Sequence, residues 1–292
     1  MTTSRRSWTP SARRPRTSNP IVLLLAFALL GTAITLAVLC PRLFAAGRWH
    51  LFHPRAALTV WFGTFGVGVV TAFSGIALGI VSVESLRHAI PHTPGVTVSA
   101  AVWVAAGIAG LALAFLFTYS GSLQSLRPAS HSHAVAYARE EHVGFTLVRF
   151  HSETPEAYAV PGRRPEIFVS SSMEQLLTAP QLQAVLAHEF AHLRHQHGLA
   201  MRIAQINALF LPGIRASRAF ERATRLQIEL AADDAAARQV GAAHLANALL
   251  VLAAATQDVA MTLRAERLSR KRWPAPGRRR VPQGLQAASQ LR

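Results

Sequence analysis

His188 and His192 lie four positions apart in AVLAHEFAHLRHQHG (Ala184 to Gly198), and Glu189 directly follows the first of them. On an α-helix residues four apart share a face, so both imidazoles can reach one ion while the glutamate lies to the side. That is the mechanical content of the pattern HExxH, in which the carboxylate takes a proton from an attacking water without binding the metal. A catalytic zinc needs a third protein ligand and an open position. One arrangement takes a histidine six residues beyond the second, but position 198 is Gly198 and that arrangement is excluded. The other takes a glutamate from a later helix, and ELAAD supplies Glu229 with Asp233 one turn on. Asp233 shares the face of Glu229 and can accept a hydrogen bond from the far nitrogen of a histidine ligand. The chain has one cysteine, Cys40, so a cysteine-built zinc site and an internal disulfide framework are both excluded. The expectation is one Zn2+ per chain held by His188, His192 and Glu229, with Glu189 as general base and Asp233 behind the ligands.

The remaining histidines have weaker claims. His195 and His197 read as surface residues, since His195 reaches the face of His188 only about a turn further along. His131, His133 and His142 fall in an irregular segment where solvent-exposed roles are expected. His244 and Tyr158 are minor candidates for a donor to the developing oxyanion. A closed, non-catalytic zinc site is the bland alternative for the whole constellation. Such a site favours cysteines and does not require a glutamate beside its first histidine.

The motif needs a helix, and its flanks provide one. Thr178 with Gln181 forms a capping-box signature ahead of LQAVLAHEFAHLRHQ, with Gly198 as the expected stop. Further helices are expected over Leu199 to Leu211 and Ala216 to Gln239, the latter carrying Glu229 and Asp233. The stretch 242–262, AAHLANALLVLAAATQDVAMT, reads as a helix packed on the domain, its apolar content falling short of a membrane span. Before the motif, short β-type runs at Phe145 to Phe150, Ala157 to Val160 and Ile167 to Ser170 are divided by Pro and Gly signals, as in a small sheet.

The rest of the chain is not that of a purely soluble domain. Of 292 residues, 51% are hydrophobic and only 15% charged, so apolar segments must be read against a lipid bilayer first. Residues 21–40 run uncharged for a length that matches the roughly 30 Å of a hydrocarbon core at about 1.5 Å per residue. Residues 56–83 and 96–119 are also apolar, with small residues suited to close helix packing. The expected organisation is a basic disordered tail at 1–20, three transmembrane helices within 21–119, a metallopeptidase domain at 120–265 and a basic disordered tail at 266–292. The net charge of +16, carried almost wholly by arginine, suits an anionic lipid surface. No base-reading motif accompanies it, so direct nucleic-acid binding is not expected.

Three spans followed by EAYAVPGRRPEIFVSSSMEQLL, LAHEFAHLRHQH and LQIELAADDAA resemble the integral-membrane zinc metallopeptidases of the BlaR/MecR type. The HtpX and CAAX-protease relatives look similar, more distantly, over the zinc core. The likeness covers about Ile21 to Leu250. It implies a membrane protein, mainly α, in which a bundle of three transmembrane helices precedes an α+β zincin-like domain of the gluzincin kind. It implies the same roles for His188, His192, Glu229, Glu189 and Asp233, and an edge strand at Ile167 to Ser170 that binds substrate backbone by strand addition. It further implies a multi-pass protein of the cell membrane with its peptidase domain in the cytoplasm; the arginine distribution, six against five, does not decide orientation. A protein substrate follows, a transcriptional repressor in this family. The alternatives are a quality-control protease of the HtpX kind and a non-enzymatic receptor that keeps a structural zinc core. Against direct β-lactam sensing, the sequence leaves no room for a sensor domain after 265, and the fourth span usual in the family is weak.

Overall fold

The computed structural model describes residues 20–45, 49–87, 136–210, 213 and 215–273. The first basic tail, the third expected span at 96–119, His131 and His133 lie outside these residues. The chain divides into two compact units, one built from residues up to Leu39 with those from Thr64 to Ala112, the other from Cys40–Gly63 and everything after Leu113.

Helix α1 runs over Pro20–Ala45 and α3 over Pro54–Arg87, with the short α2, Trp49–Phe52, between them. Proline at the first position of α1 and α3 suits a helix start, where its missing N–H is not needed. Within the first unit α1 and α3 approach closely at Gly75. A Cβ there would meet Leu30 Cγ at 2.9 Å and the Ala26 carbonyl at 3.1 Å. The glycines of GTFGVGVV, by contrast, meet no neighbour within 4 Å among the described residues. Among the described residues one helix is long and apolar enough to cross a membrane, Pro54–Ile80, with a mean hydropathy of 1.7. Ile21–Leu36 forms a shorter apolar helix. A bundle of three spans is therefore not what the described residues show.

In the second unit four strands form one sheet: β1 (Ala136–His142), β2 (Phe145–Phe150), β3 (Ala157–Val160) and β4 (Glu166–Ser170). Their order is β1-β2-β4-β3, with β2 and β4 parallel and both outer pairs antiparallel. Three of the strands coincide with the β-type runs in the sequence; β1, AYAREEH, ends in four consecutive polar residues and carries little apolar signal. Gly144 makes the tight β1–β2 turn at φ 95°, a backbone that suits glycine. The edge expected at Ile167 to Ser170 is corrected. β4 is paired on both sides, because Ala157–Val160 lies antiparallel along its outer flank, and among the described residues β3 is the edge strand beside the helices.

One face of the sheet, with Phe145, Leu147, Ile167 and Val169, is buried against helical Leu182, Val185 and Leu186. α4 (Ser171–Leu176) follows β4 without a loop, Ser170 Oγ accepting from Met173 N at 3.2 Å as its N-cap. α5 (Ala179–Arg194) starts as the sequence indicates, with Thr178 N donating to Gln181 Oε1 at 2.9 Å. It stops earlier than Gly198. His195 caps it, Gln196 takes the left-handed conformation at φ 50°, and Gly198 falls inside the next helix, α6 (His197–Phe210). α7 (Arg215–Val240) is the long helix of the domain.

The stretch read as one helix over 242–262 is two. α8 (Ala242–Thr256) ends at Gln257, whose φ of 58° reverses the chain, and Asp258 caps α9 (Val259–Arg270) by accepting from Ala260 N at 2.8 Å. The expected tail at 266–292 is thereby corrected, since its first residues are folded. Leu268 is fully buried, Arg267 is 8% exposed, and Trp273 donates to the Leu268 carbonyl at 2.8 Å. These residues are basic because they answer a buried acid: Asp234, 3% exposed, receives Arg267 Nη2 at 2.7 Å and Lys271 Nζ at 2.5 Å. The same two cations also donate to the backbone carbonyls of Leu51 and Phe52, the latter at 2.8 Å, so that α2 is fastened to the end of α9. Removing one partner of a buried ion pair leaves uncompensated charge and costs about 3–5 kcal/mol. Asp234→Ala is accordingly expected to lower the thermal unfolding midpoint of the detergent-purified chain markedly; an unchanged midpoint would show that water already serves these cations.

Candidate metal centre

The centre is built by α5, α7 and α9. The i,i+4 spacing on α5 points both imidazoles the same way, and His188 Nε2 and His192 Nε2 meet at 3.1 Å. α7 packs against α5 and brings Glu229 to them, its Oε2 3.4 Å from His188 Nε2 and its Oε1 3.8 Å from His192 Nε2. These ligand atoms all lie within 4.8 Å of one another, and they are the one such group among the described residues. A tetrahedral zinc with bonds of about 2.0–2.2 Å separates neighbouring ligand atoms by about 3.3–3.6 Å. The two nitrogens and the carboxylate are thus spaced as one such ion requires, and the donor set suits zinc.

Behind the ligands, Asp233 is completely buried and its Oδ1 stands 3.0 Å from His188 Nδ1. The position expected for a group that fixes a ligand's tautomer is where this carboxylate lies. Arg264, from α9, closes the centre. Its Nε and Nη2 donate to the two oxygens of Asp233 at 2.8 and 2.6 Å, and its Nη1 lies 3.0 Å from Glu229 Oε2. A bidentate guanidinium-carboxylate pair combines charge with fixed geometry. Burial alone would push the His188 imidazole below its usual range, but the bonds to Asp233 and Glu229 outweigh it and raise it to about 10. Burial would raise the Glu229 carboxyl, yet the His188 contact and Arg264 pull it down to about 2.

Glu189 lines the cleft beside the ligands, with its carboxylate also hydrogen-bonded to the backbone of Ala159 on β3. Burial pushes it up to about 7, towards the range in which a carboxylate exchanges protons near neutrality. The cleft has a volume of about 560 Å³ and is bounded by the open strand β3 on one side and by α5, α6 and α7 on the other. The three methionines after Met1, namely Met173, Met201 and Met261, all line it.

Of the residues singled out in the sequence, His188, His192, Glu229, Asp233 and Glu189 are brought together. His244 is exposed and does not line the cleft. The Tyr158 backbone borders the cleft, but its ring stacks on Phe168 at 4.9 Å and 6°, on the sheet face away from Ala157 and Ala159. His142 packs on Phe145 with its side chain 7% exposed, so the solvent-exposed reading of it is corrected. His195 is exposed and is bonded to Arg55 at the start of α3. His197 is corrected too, being buried at 6% exposure with Nδ1 3.3 Å from His192 Nδ1. Two residues of the centre were not found in the sequence, Arg264 and His197. The signal for the first was the run Arg264, Arg267 and Lys271, spaced along one helix and its C-cap behind a capping Asp258, which can answer the acidic pair Asp233-Asp234.

Residues 124–272 match the model of peptidase family M48, so the chain belongs to that family, whose members are typically zinc-dependent peptidases. A stretch of 60 residues is 47% identical to the plastoglobule-localized metallopeptidase 48, chloroplastic, of Arabidopsis thaliana, covering 20% of this chain and 17% of that protein. The chain thus matches under a fifth of the length of this relative. No solved structure matches the chain. The membership is at the level of the M48 family and does not single out the BlaR/MecR type.

Proposed function

We propose that this chain is a membrane-anchored zinc endopeptidase that cleaves protein segments presented to it as extended strands. The observation that carries the reading is the convergence of His188, His192 and Glu229 on one point, with Glu189 beside it and the open edge of β3 along the same cleft. His188, His192 and Glu229 would hold zinc, which would supply Lewis acidity for a peptide carbonyl and for a water near neutral pH. A substrate strand laid along the edge strand Ala157–Val160 would extend the sheet by strand addition. Glu189, tethered to Ala159 of that strand, removes the proton from the attacking water and returns it to the leaving nitrogen. Asp233 holds His188 in the tautomer that leaves its Nε2 free for the metal.

Membrane attachment is supported by the apolar helix Pro54–Ile80, and the multi-pass arrangement rests on the apolar segments at 21–40 and 96–119. We place the peptidase domain in the cytoplasm, with a protein as substrate. Regulated cleavage of a repressor rests on the BlaR/MecR resemblance alone. The quality-control reading has a specific observation in its favour, the methionine-lined cleft. Methionine side chains are flexible and polarizable, and surfaces rich in them accept varied apolar partners.

Glu189→Gln is expected to retain stoichiometric zinc and to lose peptide cleavage by at least about 10²-fold, the lower range for loss of a general base. Metal analysis and casein cleavage side by side check this, and a variant that still cleaves would remove Glu189 from the mechanism. Zinc in wild type with cleavage in neither protein would favour the receptor reading. Profiling with a peptide library is expected to show large aliphatic or methionine side chains next to the scissile bond with little choice among them. A single strongly preferred sequence would instead favour a dedicated substrate such as a repressor.

A further inference from the structure

Because His188 and His192 turn their Nε2 atoms towards each other, each ring presents Nδ1 to the protein behind it. Behind His188 stands a carboxylate, Asp233, at 3.0 Å. Behind His192 stands His197, its Nδ1 at 3.3 Å and its ring at 5.0 Å and 85° to that of His192. We propose that His197 is the positioning residue of His192, accepting the Nδ1–H of that ring so that Nε2 is held unprotonated and aimed at the metal. The inference rests on His192 being a metal ligand.

The backbone is shaped for this contact. On an unbroken helix residues five apart lie about 140° around the axis and cannot meet. α5 ends at Arg194, and Gln196 adopts φ 50°, a conformation that non-glycine residues seldom take, so the chain doubles back and α6 opens with His197 under His192. The ring then lies buried against the nitrogen of His192 that faces away from Glu229. That placement makes it a partner of the ligand and not a fourth ligand, since its nitrogen meets Nδ1 of His192 and not the converging Nε2 atoms. An acceptor on the far nitrogen is what fixes the tautomer and direction of a metal-bound imidazole. Here the two ligands are backed unequally, one by an anion and the other by a neutral ring that is itself packed on His195 at 5.7 Å.

The test uses the full chain in detergent, with zinc affinity measured by chelator competition and the electronic spectrum of the Co2+-substituted protein recorded alongside. His197→Leu fills the space without an acceptor, and His197→Asn returns an oxygen near the position of Nδ1. Loss of such a partner typically weakens metal affinity by about 10–100-fold. That loss is expected for His197→Leu with an altered Co2+ spectrum, and His197→Asn is expected to recover most of it. Equal zinc affinity in wild type and His197→Leu would overturn the assignment. So would a His197→Asn variant that folds, shown by an unchanged unfolding midpoint, but binds zinc no better than His197→Leu. Should His197→Leu not fold, the inference stands on His197→Asn keeping wild-type affinity and spectrum and falls if it does not. A wild-type chain that binds no zinc, or binds it equally as His192→Ala, would instead sink the metal site itself.

Discussion

α7 buries negative charge. Glu229, Asp233 and Asp234 fall within six positions of it, and both aspartates are almost wholly removed from water. A carboxylate without a partner in such surroundings costs several kcal/mol, so the helix can hold this sequence only if cations are brought to it. α9 brings them. Arg264 pairs with Asp233 and Glu229, while Arg267 and Lys271, three and seven residues further on, pair with Asp234. Two adjacent acids thus face two different tasks. Asp233 looks into the metal centre, and Asp234 looks away from it to the cations that grip the carbonyls of Leu51 and Phe52. The peptidase core, the centre and the residues that lead into the long apolar helix are all fastened through this one set of charges.

That dependence explains why the sequence revealed some parts and hid others. His188, His192 and Glu189 are local, fixed by a spacing that any helix turns into geometry, and Thr178 and Gln181 announce where that helix begins. Glu229 and Asp233 could be read because they repeat the same spacing on another helix. α9 could not, since its evidence is a pairing across 31 to 37 positions, and alone its ERLSRKRW looks like the start of a solvated basic tail. The break between α8 and α9 was hidden for a related reason. Gln257 in the left-handed conformation carries no glycine signal, and only the capping by Asp258 marks the turn. His197 was concealed by the opposite effect, a spacing that a continuous helix would have kept apart. The sheet order was hidden as well, because β3 and β4 are both apolar enough to be interior and only pairing decides which is the edge.

The arrangement also bears on what holds the three donors in place. Arg264 is a cation at any physiological pH, so Asp233 and Glu229 do not depend on metal for charge compensation. It binds Asp233 through two nitrogens and Glu229 through one, at Oε2. Glu229 Oε1 faces His192 at 3.8 Å, so the carboxylate keeps an oxygen on the side where the imidazoles converge. A divalent ion among these donors would gain from side chains that their neighbours hold in place and would also face the positive charge of Arg264, which opposes it. The two effects act on different quantities. Preorganisation lowers the entropy cost of binding, whereas the charge of Arg264 sets a lower limit on how much the three ligand bonds must supply. The binding of metal would then be decided by the donors themselves, His188, His192 and Glu229, and by the groups that aim them.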